Sequence, residues 1–319
     1  MGEPKTYVSS SPHFNFKCTT QMIMGTVLIA LLPEIIMGIV LFGLAALVRL
    51  CVSVASCVLF EFVFQKCTGQ KVTIANLSAC VTGVMLALVC SPAVPVWMFV
   101  LGAAVAMVVA KGLFGGIGSN VFNPALTGRA FMFLSFPAAM GAAWVNPSVP
   151  DAVSSATTLS AIKAGTFAVE NGTYWQYFIG NRAGCMGETS ILLILISFAF
   201  LALTRIIDWR APLAMVGTVA VCSLVSGENV AMALMTGGLM FGATFMVTDY
   251  ATAPVTKKGR LVFGFGCGLI TFLIRKFGGY PEGVMFSILI MNSIAPFLNN
   301  LTARKYGYGR KAVRPKEAE

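Results

Sequence analysis

The chain has 319 residues, of which 57% are hydrophobic and only 11% are charged. Soluble globular proteins carry roughly 25% charged residues, so this composition excludes a soluble enzyme or binding module and indicates a helical membrane protein. The net charge of +10 does not indicate a nucleic-acid-binding protein, because the basic residues lie between apolar runs or at the C-terminus, as orientation in a bilayer requires.

Runs of apolar residues predict ten membrane-spanning helices, since about 18 apolar residues are enough to cross a bilayer. The predicted spans are 21–42, 43–64, 74–90, 96–113, 125–141, 189–207, 212–226, 230–247, 260–276 and 283–300. A polar insert, 142–188, separates the fifth span from the sixth. We therefore expect a cytoplasmic N-terminal segment (1–20), a first half (21–141), the insert, a second half (189–302) and a basic cytoplasmic tail (303–319).

The distribution of basic residues predicts the orientation of the chain. Of the 22 Lys and Arg residues, Arg49 stands near the start of the second span, and few fall on the side opposite the N-terminus: Lys163, Arg182, Arg275 and Lys276. All the others lie on the N-terminal side. Because positively charged loops stay in the cytoplasm, we expect a multi-pass protein of the cytoplasmic (inner) membrane. Both termini should be cytoplasmic, and the insert should lie on the outer face.

Five spans on each side of the insert make an odd number per half, so the two halves should run through the membrane in opposite directions, as in many transporters. A short echo between the segments that begin at Thr127 and Lys258 does not demonstrate this inversion, because both begin on the cytoplasmic side. The fold that we predict is an all-α polytopic membrane protein of about ten helices in two five-helix, inverted halves.

One short stretch of the insert stands out, Asp151-Ala-Val-Ser-Ser-Ala-Thr157. It is small and polar, and it fits the pattern Asp-x-x-(Ser/Thr)-x-Ala-(Thr/Ser). A protein embedded in a bilayer has no packing reason to carry such a segment. The alternative is that this stretch has no specific function and is a flexible loop rich in Ser and Thr.

Three further features accompany this stretch: an arginine-led second span that ends in Phe60-Glu61-Phe62, the segment Asn123-Pro-Ala-Leu-Thr-Gly-Arg129, and the basic tail. Together they resemble, over nearly the full length, the D-subunit family of the Rnf complex (ferredoxin:NAD oxidoreductase). More distantly, the chain resembles the B subunit of the Na+-translocating NADH:quinone oxidoreductase. In both, the pattern is a threonine flavinylation signature, although Gly is usual where this chain has Ser155. The resemblance also implies a fold akin to the inverted repeats of urea transporters.

The resemblance implies that FMN is esterified through its phosphate to Thr157. Attachment by a flavin transferase needs an accessible hydroxyl with small neighbours, here Ser154, Ser155 and Ala156. We expect Asp151 to bind the metal of the transferase or to orient the hydroxyl, and Lys163 or a nest of backbone amides to hold the phosphate. Thr158 is a rival acceptor, but the spacing from Asp151 favours Thr157.

By resemblance, the chain is an electron-transfer subunit that catalyses no complete reaction alone. Electrons would pass from reduced ferredoxin towards NAD+ and drive Na+ or H+ outwards. The implied partners are a second flavin-bearing subunit, iron–sulfur subunits, the flavin transferase and membrane lipid. A second, noncovalent flavin between the spans, riboflavin in related complexes, is a further expectation.

Polar residues at span junctions are further candidates for a cofactor site or an ion path. The glycine-rich segment 114–129 carries Asn120, Asn123 and Arg129, which would hold a second flavin or line an ion path; the alternative is a tight turn with Pro124 in the first helical turn. Asp249 is their counterpart in the second half. Glu34 lies mid-span, where an acid is costly; it would bind Na+, carry a proton or contact a partner subunit.

The remaining charged residues and the cysteines have simpler interpretations. We expect Arg275 and Lys276 to anchor the membrane interface rather than attract a flavin phosphate, and Glu61 and Lys66 to pair with each other or to extend towards water. The nine cysteines show no CxxC spacing, so we expect no iron–sulfur cluster held by this chain alone. A cluster shared with a partner chain stays open.

Two other functions compete with the flavoprotein hypothesis. A solute channel or transporter of similar fold would use the insert as a lid, and it would have no use for a threonine that a transferase recognises. A purely structural anchor for redox partners would tolerate the loss of Thr157 without a loss of electron transfer.

Overall fold

The computed structural model describes residues 19–141, 144–146, 149–154, 158–164, 172–180, 182, 184–279 and 282–302. The N-terminal segment up to residue 18 and the tail 303–319 lie outside the described residues, as do Ser155, Ala156 and Thr157.

The first half is described without a gap from residue 19 to residue 141. Its helices are α1 (Thr20–Phe42), α2 (Leu44–Cys67), α3 (Ser78–Leu88), α4 (Val96–Gly112), α5 (Pro124–Ser135) and α6 (Pro137–Gly141). The side chain of Thr19 accepts a hydrogen bond from the amide of Met22 and so caps the start of α1. At Gly43, φ is 67°, a value that glycine adopts without strain, and the chain turns there directly into α2.

The insert contains a short hairpin that the all-α prediction did not include. Strands β1 (Trp144–Asn146) and β2 (Val149–Ser154) pair antiparallel, with an irregularity in register between Val145 and Asn146. Two short helices follow, α7 (Thr158–Lys163) and α8 (Thr173–Ile179). The hairpin lies in the insert, outside the predicted spans, so the all-α class predicted for the membrane halves is unchanged.

The second half has the same helical character. Its helices are α9 (Ile191–Leu203), α10 (Arg210–Val225), α11 (Val230–Met235), α12 (Leu239–Phe241), α13 (Lys257–Phe277) and α14 (Val284–Thr302). Helix α12 continues as a π-helix over Gly242–Met246, and the last turns of α4, Val105–Gly112, are also π-helical.

Three of the described helices are long and apolar enough to cross a membrane: Thr20–Phe42, Leu44–Cys67 and Val284–Thr302. Each of the ten predicted spans contains at least one helix. Several of these helices are shorter than a span, however, and two spans are interrupted, one at Phe136 and one at residues 236–238. The helical, membrane-type architecture is therefore confirmed, and ten complete crossings stay a prediction.

Small residues set the closest helix packing in both halves. An added Cβ at Gly83 of α3 would lie 2.6 Å from the Cα of Val54 in α2, and one at Gly264 of α13 would lie 2.2 Å from the carbonyl oxygen of Ala211 in α10. Membrane helices approach most closely where side chains are small. The halves meet through α1 and α9, where the Ser197 hydroxyl donates to the carbonyl oxygen of Ala30 at 2.7 Å.

Candidate cofactor and ion sites

The residues predicted to direct flavin attachment lie where β2 gives way to α7. Asp151 and Ser154 belong to β2, and Thr158 is the first residue of α7. Thr157, which lies outside the described residues, immediately precedes that helix. In sequence, the flavinylation pattern 151–157 therefore ends directly before α7.

Helix α7 contacts two residues of the second half, one just after α13 and one just after α11. The ammonium group of Lys163 donates to the carbonyl oxygen of Gly278, and Leu159 approaches Gly237. Between α7 and the ends of α10, α11 and α13 lies an open cavity of about 1070 Å³, its mouth included. We call it the outer cavity; its lining includes Ile162, Lys163, Asn229, Met232, Phe272, Arg275 and Lys276.

The outer cavity borders a break between α11 and α12 that buried charges hold in place. Arg275 donates to the carbonyl oxygens of Ala233 at 2.7 Å and Thr236 at 3.1 Å, and Arg182 donates to that of Met235. Glu282 accepts from the amide of Gly238 at 2.8 Å, beside the start of α12. Cations thus face the C-terminus of α11, and an anion faces the N-terminus of α12. Both contacts are electrostatically favourable, because a helix dipole is negative at its C-terminus and positive at its N-terminus.

Arg129 joins this buried network rather than the residues with which it was predicted to act. Its guanidinium lies 2.9 Å from a carboxylate oxygen of Glu282, and Arg182 donates to the backbone carbonyl of Glu188. Burial, together with the neighbouring charge of Glu282, raises the pKa of Glu188 to about 8. Burial also pushes up the pKa of Glu282, but the contact with Arg129 outweighs burial and the net pKa is lowered. Glu282 is therefore the ionised partner of Arg129.

Asn120, Asn123 and Asp249 line a second cavity, which lies between the two halves. This inner cavity has an empty volume of about 770 Å³, its mouth included. The amide nitrogen of Asn123 donates to Asp249 at 3.2 Å, and its oxygen accepts from the amide of Leu126 and caps α5. Asn123 therefore fixes the start of α5 and ties it to the loop after α12.

A buried ion pair also borders the inner cavity. Lys111, in the π-helical part of α4, lies 2.6 Å from both a carboxylate oxygen of Glu61 and the hydroxyl of Ser78. Of the two predicted alternatives, Glu61 does not pair with Lys66, because it is bound to Lys111. Lys66 is exposed, as the other alternative predicted for it, and lies over the ring of Phe62. Because π-helical turns inside α-helices often occur at functional sites, the position of Lys111 marks this wall as a candidate cofactor contact.

Glu34 is separate from both cavities. It lies within α1 and is only 3% exposed, and neither of its carboxylate oxygens has a hydrogen-bond partner among the described residues. One turn further along, an added Cβ at Gly38 would lie 3.2 Å from the carbonyl oxygen of Met186. Glu34 thus lies on the face of α1 that packs on Met186, at the end of the insert, and on Ser197 of α9.

Several of these residues were not predicted as site residues: Lys111, Arg182, Glu188 and Glu282. Each stands at the edge of a predicted span or in the insert, where charged residues are ordinary, so its type and position gave no signal. Arg275 did carry a signal, because it violates the charge bias. Its guanidinium is bound to the backbone carbonyls of Ala233 and Thr236, and its role as an interface anchor stays a prediction.

No group of three or more His, Cys, Asp or Glu residues is placed to hold a metal ion in the part of the chain that the structure describes. The eight cysteines within that part are all free thiols. The described residues therefore offer cavities and a buried charge network as candidate sites for chemistry.

Comparison with known proteins places this architecture in a family. The family model described as "NQR2, RnfD, RnfE family" matches residues 7–307. The chain belongs to this family. The resemblance to the D-subunit family of the Rnf complex is thereby confirmed.

Individual relatives match over nearly the whole chain. The D subunit of the Na+-translocating ferredoxin:NAD+ oxidoreductase complex of Acetobacterium woodii is 41% identical over 321 residues, covering 100% of both chains. The D subunit of the proton-translocating complex of Clostridium ljungdahlii is 37% identical, covering 92% of this chain and 94% of the relative. The D subunit of the ion-translocating oxidoreductase complex of Methanosarcina acetivorans is 34% identical, covering 93% and 96%.

Proposed function

We propose that this chain is the membrane-embedded D subunit of an ion-translocating ferredoxin:NAD+ oxidoreductase complex and that FMN is esterified to Thr157. The observation that carries the proposal is the full-length match to D subunits of such complexes. It is joined by the flavinylation pattern 151–157, which ends directly before α7. The subunit acts only within the complex.

The outer cavity fits the ring and phosphate of a flavin attached at that point. Three cations of the lining, Lys163, Arg275 and Lys276, outnumber its one carboxylate, Glu228, and so leave positive charge for a phosphate. Ile162, Met232 and Phe272 supply an apolar wall for a ring system. Small-molecule sites usually combine a largely apolar lining with a few polar groups. Bound there, FMN would supply one- and two-electron redox chemistry. The protein's own residues would position it and neutralise its phosphate.

The orientation that the basic residues predict puts the outer cavity on the outer face of the inner membrane. In this arrangement all ten helical segments cross or enter the bilayer, in two inverted halves of five, and both termini are cytoplasmic. The inner cavity then lies towards the cytoplasmic side, because Asn123 begins α5 and Asp249 follows α12. The two cavities would place cofactors near opposite faces.

The inner cavity is the proposed site of the second, noncovalent flavin, riboflavin in related complexes. Asn120, Asn123 and Lys111 would give it hydrogen-bond donors, and Asp249 an acceptor. Glu34 and Asp249 are the proposed ion-path carboxylates. Overall similarity does not decide between Na+ and H+, since relatives named for each ion are 41% and 37% identical to this chain.

The proposed partners follow from membership in the complex. They are a second flavin-bearing subunit, the iron–sulfur subunits, the transferase that attaches FMN, and membrane lipid. A cluster shared across a subunit interface would need ligands from a partner, because the described cysteines of this chain form no metal-binding group.

Flavin attachment is tested on the chain expressed in its native host and isolated from the assembled complex. The denatured wild-type band should fluoresce, and mass spectrometry of the peptide 142–188 should locate one FMN on Thr157. Thr157→Ala should abolish both signals, whereas the matched control Thr158→Ala should keep them.

A dark wild-type band would contradict covalent flavin and favour the channel or transporter hypothesis. A fluorescent band that survives Thr157→Ala but not Thr158→Ala would move the attachment by one residue. Unchanged electron transfer in an assembled Thr157→Ala complex would favour the structural-anchor hypothesis.

A further inference from the structure

A third cavity, outside both proposed flavin sites, opens between the end of α9 and the starts of α10 and α13. It has an empty volume of about 1150 Å³, its mouth included. We call it the arginine cavity, because three guanidinium groups line it, those of Arg205, Arg210 and Arg260. A single carboxylate, that of Asp208, faces them from the same lining.

Asp208 is fully engaged and leaves the cavity positively charged. Its oxygens lie 2.9 Å from the guanidinium of Arg210 and 2.8 Å from that of Arg260. Its Oδ1 also accepts from the backbone amide of Arg210 at 3.0 Å. Three cations therefore face one anion, and the guanidinium of Arg205 pairs with no carboxylate among the described residues. The cavity lining lacks balancing negative charge, which is a condition for binding an anion.

The backbone conformation of Arg205 is unusual for a residue with a side chain. Its φ is 57°, in the left-handed region. Its amide donates to the carbonyl of Ala202 and that of Ile206 donates to Leu201, so α9 ends in a Schellman motif with Arg205 at the position that glycine usually occupies. A non-glycine residue there is strained. Strain of this kind is found where a side chain has a function.

The rim of the arginine cavity is apolar and aromatic. Val255 is 74% exposed, and the side chains of Trp209 and Tyr250 are about half-exposed. Aromatic residues of this kind concentrate at the level of lipid headgroups, with hydrocarbon on one side and water on the other. An anion that is bound here would have acyl chains next to it.

We propose that the arginine cavity binds the phosphate of an anionic phospholipid headgroup, with Arg205 as the free cation that contacts it. The assignment rests on the proposed orientation, which puts this cavity at the cytoplasmic leaflet, where anionic lipids attract basic residues. It does not depend on either flavin. The cavity also shares Ile206, Ile207, Thr248 and Tyr250 with the inner cavity, so a bound lipid would support one wall of that site.

The test compares the intact complex with variants at Arg205. Complexes are equilibrated in nanodiscs of phosphatidylcholine and phosphatidylglycerol in equal parts, released into mild detergent, and examined by native mass spectrometry for retained phosphatidylglycerol. Arg205→Gly should reduce specific retention about fivefold, while Arg205→Lys should reduce it less. Lys66→Ala removes a cation from the end of α2, outside the cavity, and should leave retention unchanged.

Arg205→Gly separates lost lipid binding from misfolding, because glycine is the favoured residue at that backbone position. In lipid-free detergent this variant should unfold at the same or a higher temperature than the wild type. Equal phosphatidylglycerol retention by wild type and Arg205→Gly would overturn the proposal. So would displacement of the lipid by millimolar inorganic phosphate, which would identify a free-phosphate site. Flavin fluorescence of the band, measured on the same samples, reports separately on the proposed function.

Discussion

Glu282 holds together two features of the molecule that are far apart in sequence. One of its oxygens binds the guanidinium of Arg129, and the other accepts from the amide of Gly238. A buried ion pair contributes little net stability compared with an apolar pair, but removing one partner leaves an uncompensated charge. The consequence of mutation therefore depends on which partner is lost, and on the charge of Arg275 nearby.

Glu282→Gln should destabilise the protein by about 3–5 kcal/mol, because the buried arginines lose an anionic partner. The lowered pKa of Glu282 means that its contribution is present above its unfolded pKa, near 4.5, and is lost as the pH falls through the lower folded value. The difference between wild type and variant should therefore be full at neutral pH and should shrink below about pH 4.5. Thermal unfolding in detergent across pH measures it.

Glu228→Gln is the matched control. Glu228 lies 3.5 Å from Lys276 with its side chain 44% exposed, so its loss should cost at most about 1 kcal/mol. Equal destabilisation by the two variants would contradict a buried charge network that depends on Glu282.

At the scale of single residues, the sequence predicted which polar residues are candidates for a site, but it did not predict which residues they contact. Asn123 and Asp249 were predicted as counterparts, and they are in contact at 3.2 Å. Arg129 was predicted with them, yet it binds Glu282, which is far along the chain. Successive side chains of a helix point to different faces, so Asn123 before α5 and Arg129 within it need not share a site. Only tertiary packing decides which face meets which partner.

At the scale of elements, the break between α11 and α12 depends on two consecutive glycines. Gly237 has a φ of 66°, and an added Cβ at Gly238 would lie 2.4 Å from a carboxylate oxygen of Glu188 and 2.6 Å from one of Glu282. The carboxylates of Glu188 and Glu282 thus approach the backbone at residue 238 so closely that only glycine leaves room for them. The predicted span 230–247 did not show it, because short helices on either side of a break have the same apolar composition as one continuous helix.

Gly238→Ala should therefore destabilise the protein and weaken retention of a ligand in the outer cavity, since the carboxylates must move and Arg275 borders both features. Gly217→Ala in α10 is the control: no atom lies within 4 Å of the added Cβ, and replacing a helical glycine should be neutral or stabilise by up to about 1 kcal/mol. Unfolding temperatures of the two variants, measured together, check the difference. A Gly238→Ala protein as stable as Gly217→Ala would show that the carboxylates are not held there.

At the scale of the whole molecule, the two halves are joined by polar contacts in an apolar interface. The Asn123–Asp249 bond joins α5 to the loop after α12, and the Ser197–Ala30 bond joins α9 to α1. The overall plan, helical halves around a polar insert, was predictable because hydrophobic runs and charge bias report on the bilayer directly. The hydrogen bonds between the halves were not predictable, because each joins one polar residue to one of many possible partners in the other half.

Glu34 lies at this junction, and its burial without a hydrogen-bond partner in the described part of the chain makes it the sharpest test of ion coupling. Glu34→Gln keeps the size of the side chain and removes its charge. If Glu34 binds or carries the ion, complexes in proteoliposomes should keep ferredoxin:NAD+ electron transfer within about twofold while ion uptake falls at least tenfold, a change of roughly 1.4 kcal/mol or more.

The folded state should tolerate this change, since a neutral amide is less costly to bury than a carboxylate. Unfolding at the same or a higher temperature would exclude a folding defect as the cause of lost uptake. If Glu34→Gln complexes pump ions at the wild-type rate, the ion must cross elsewhere, and Glu34 would be a structural acid between α1 and the segment that contains Met186.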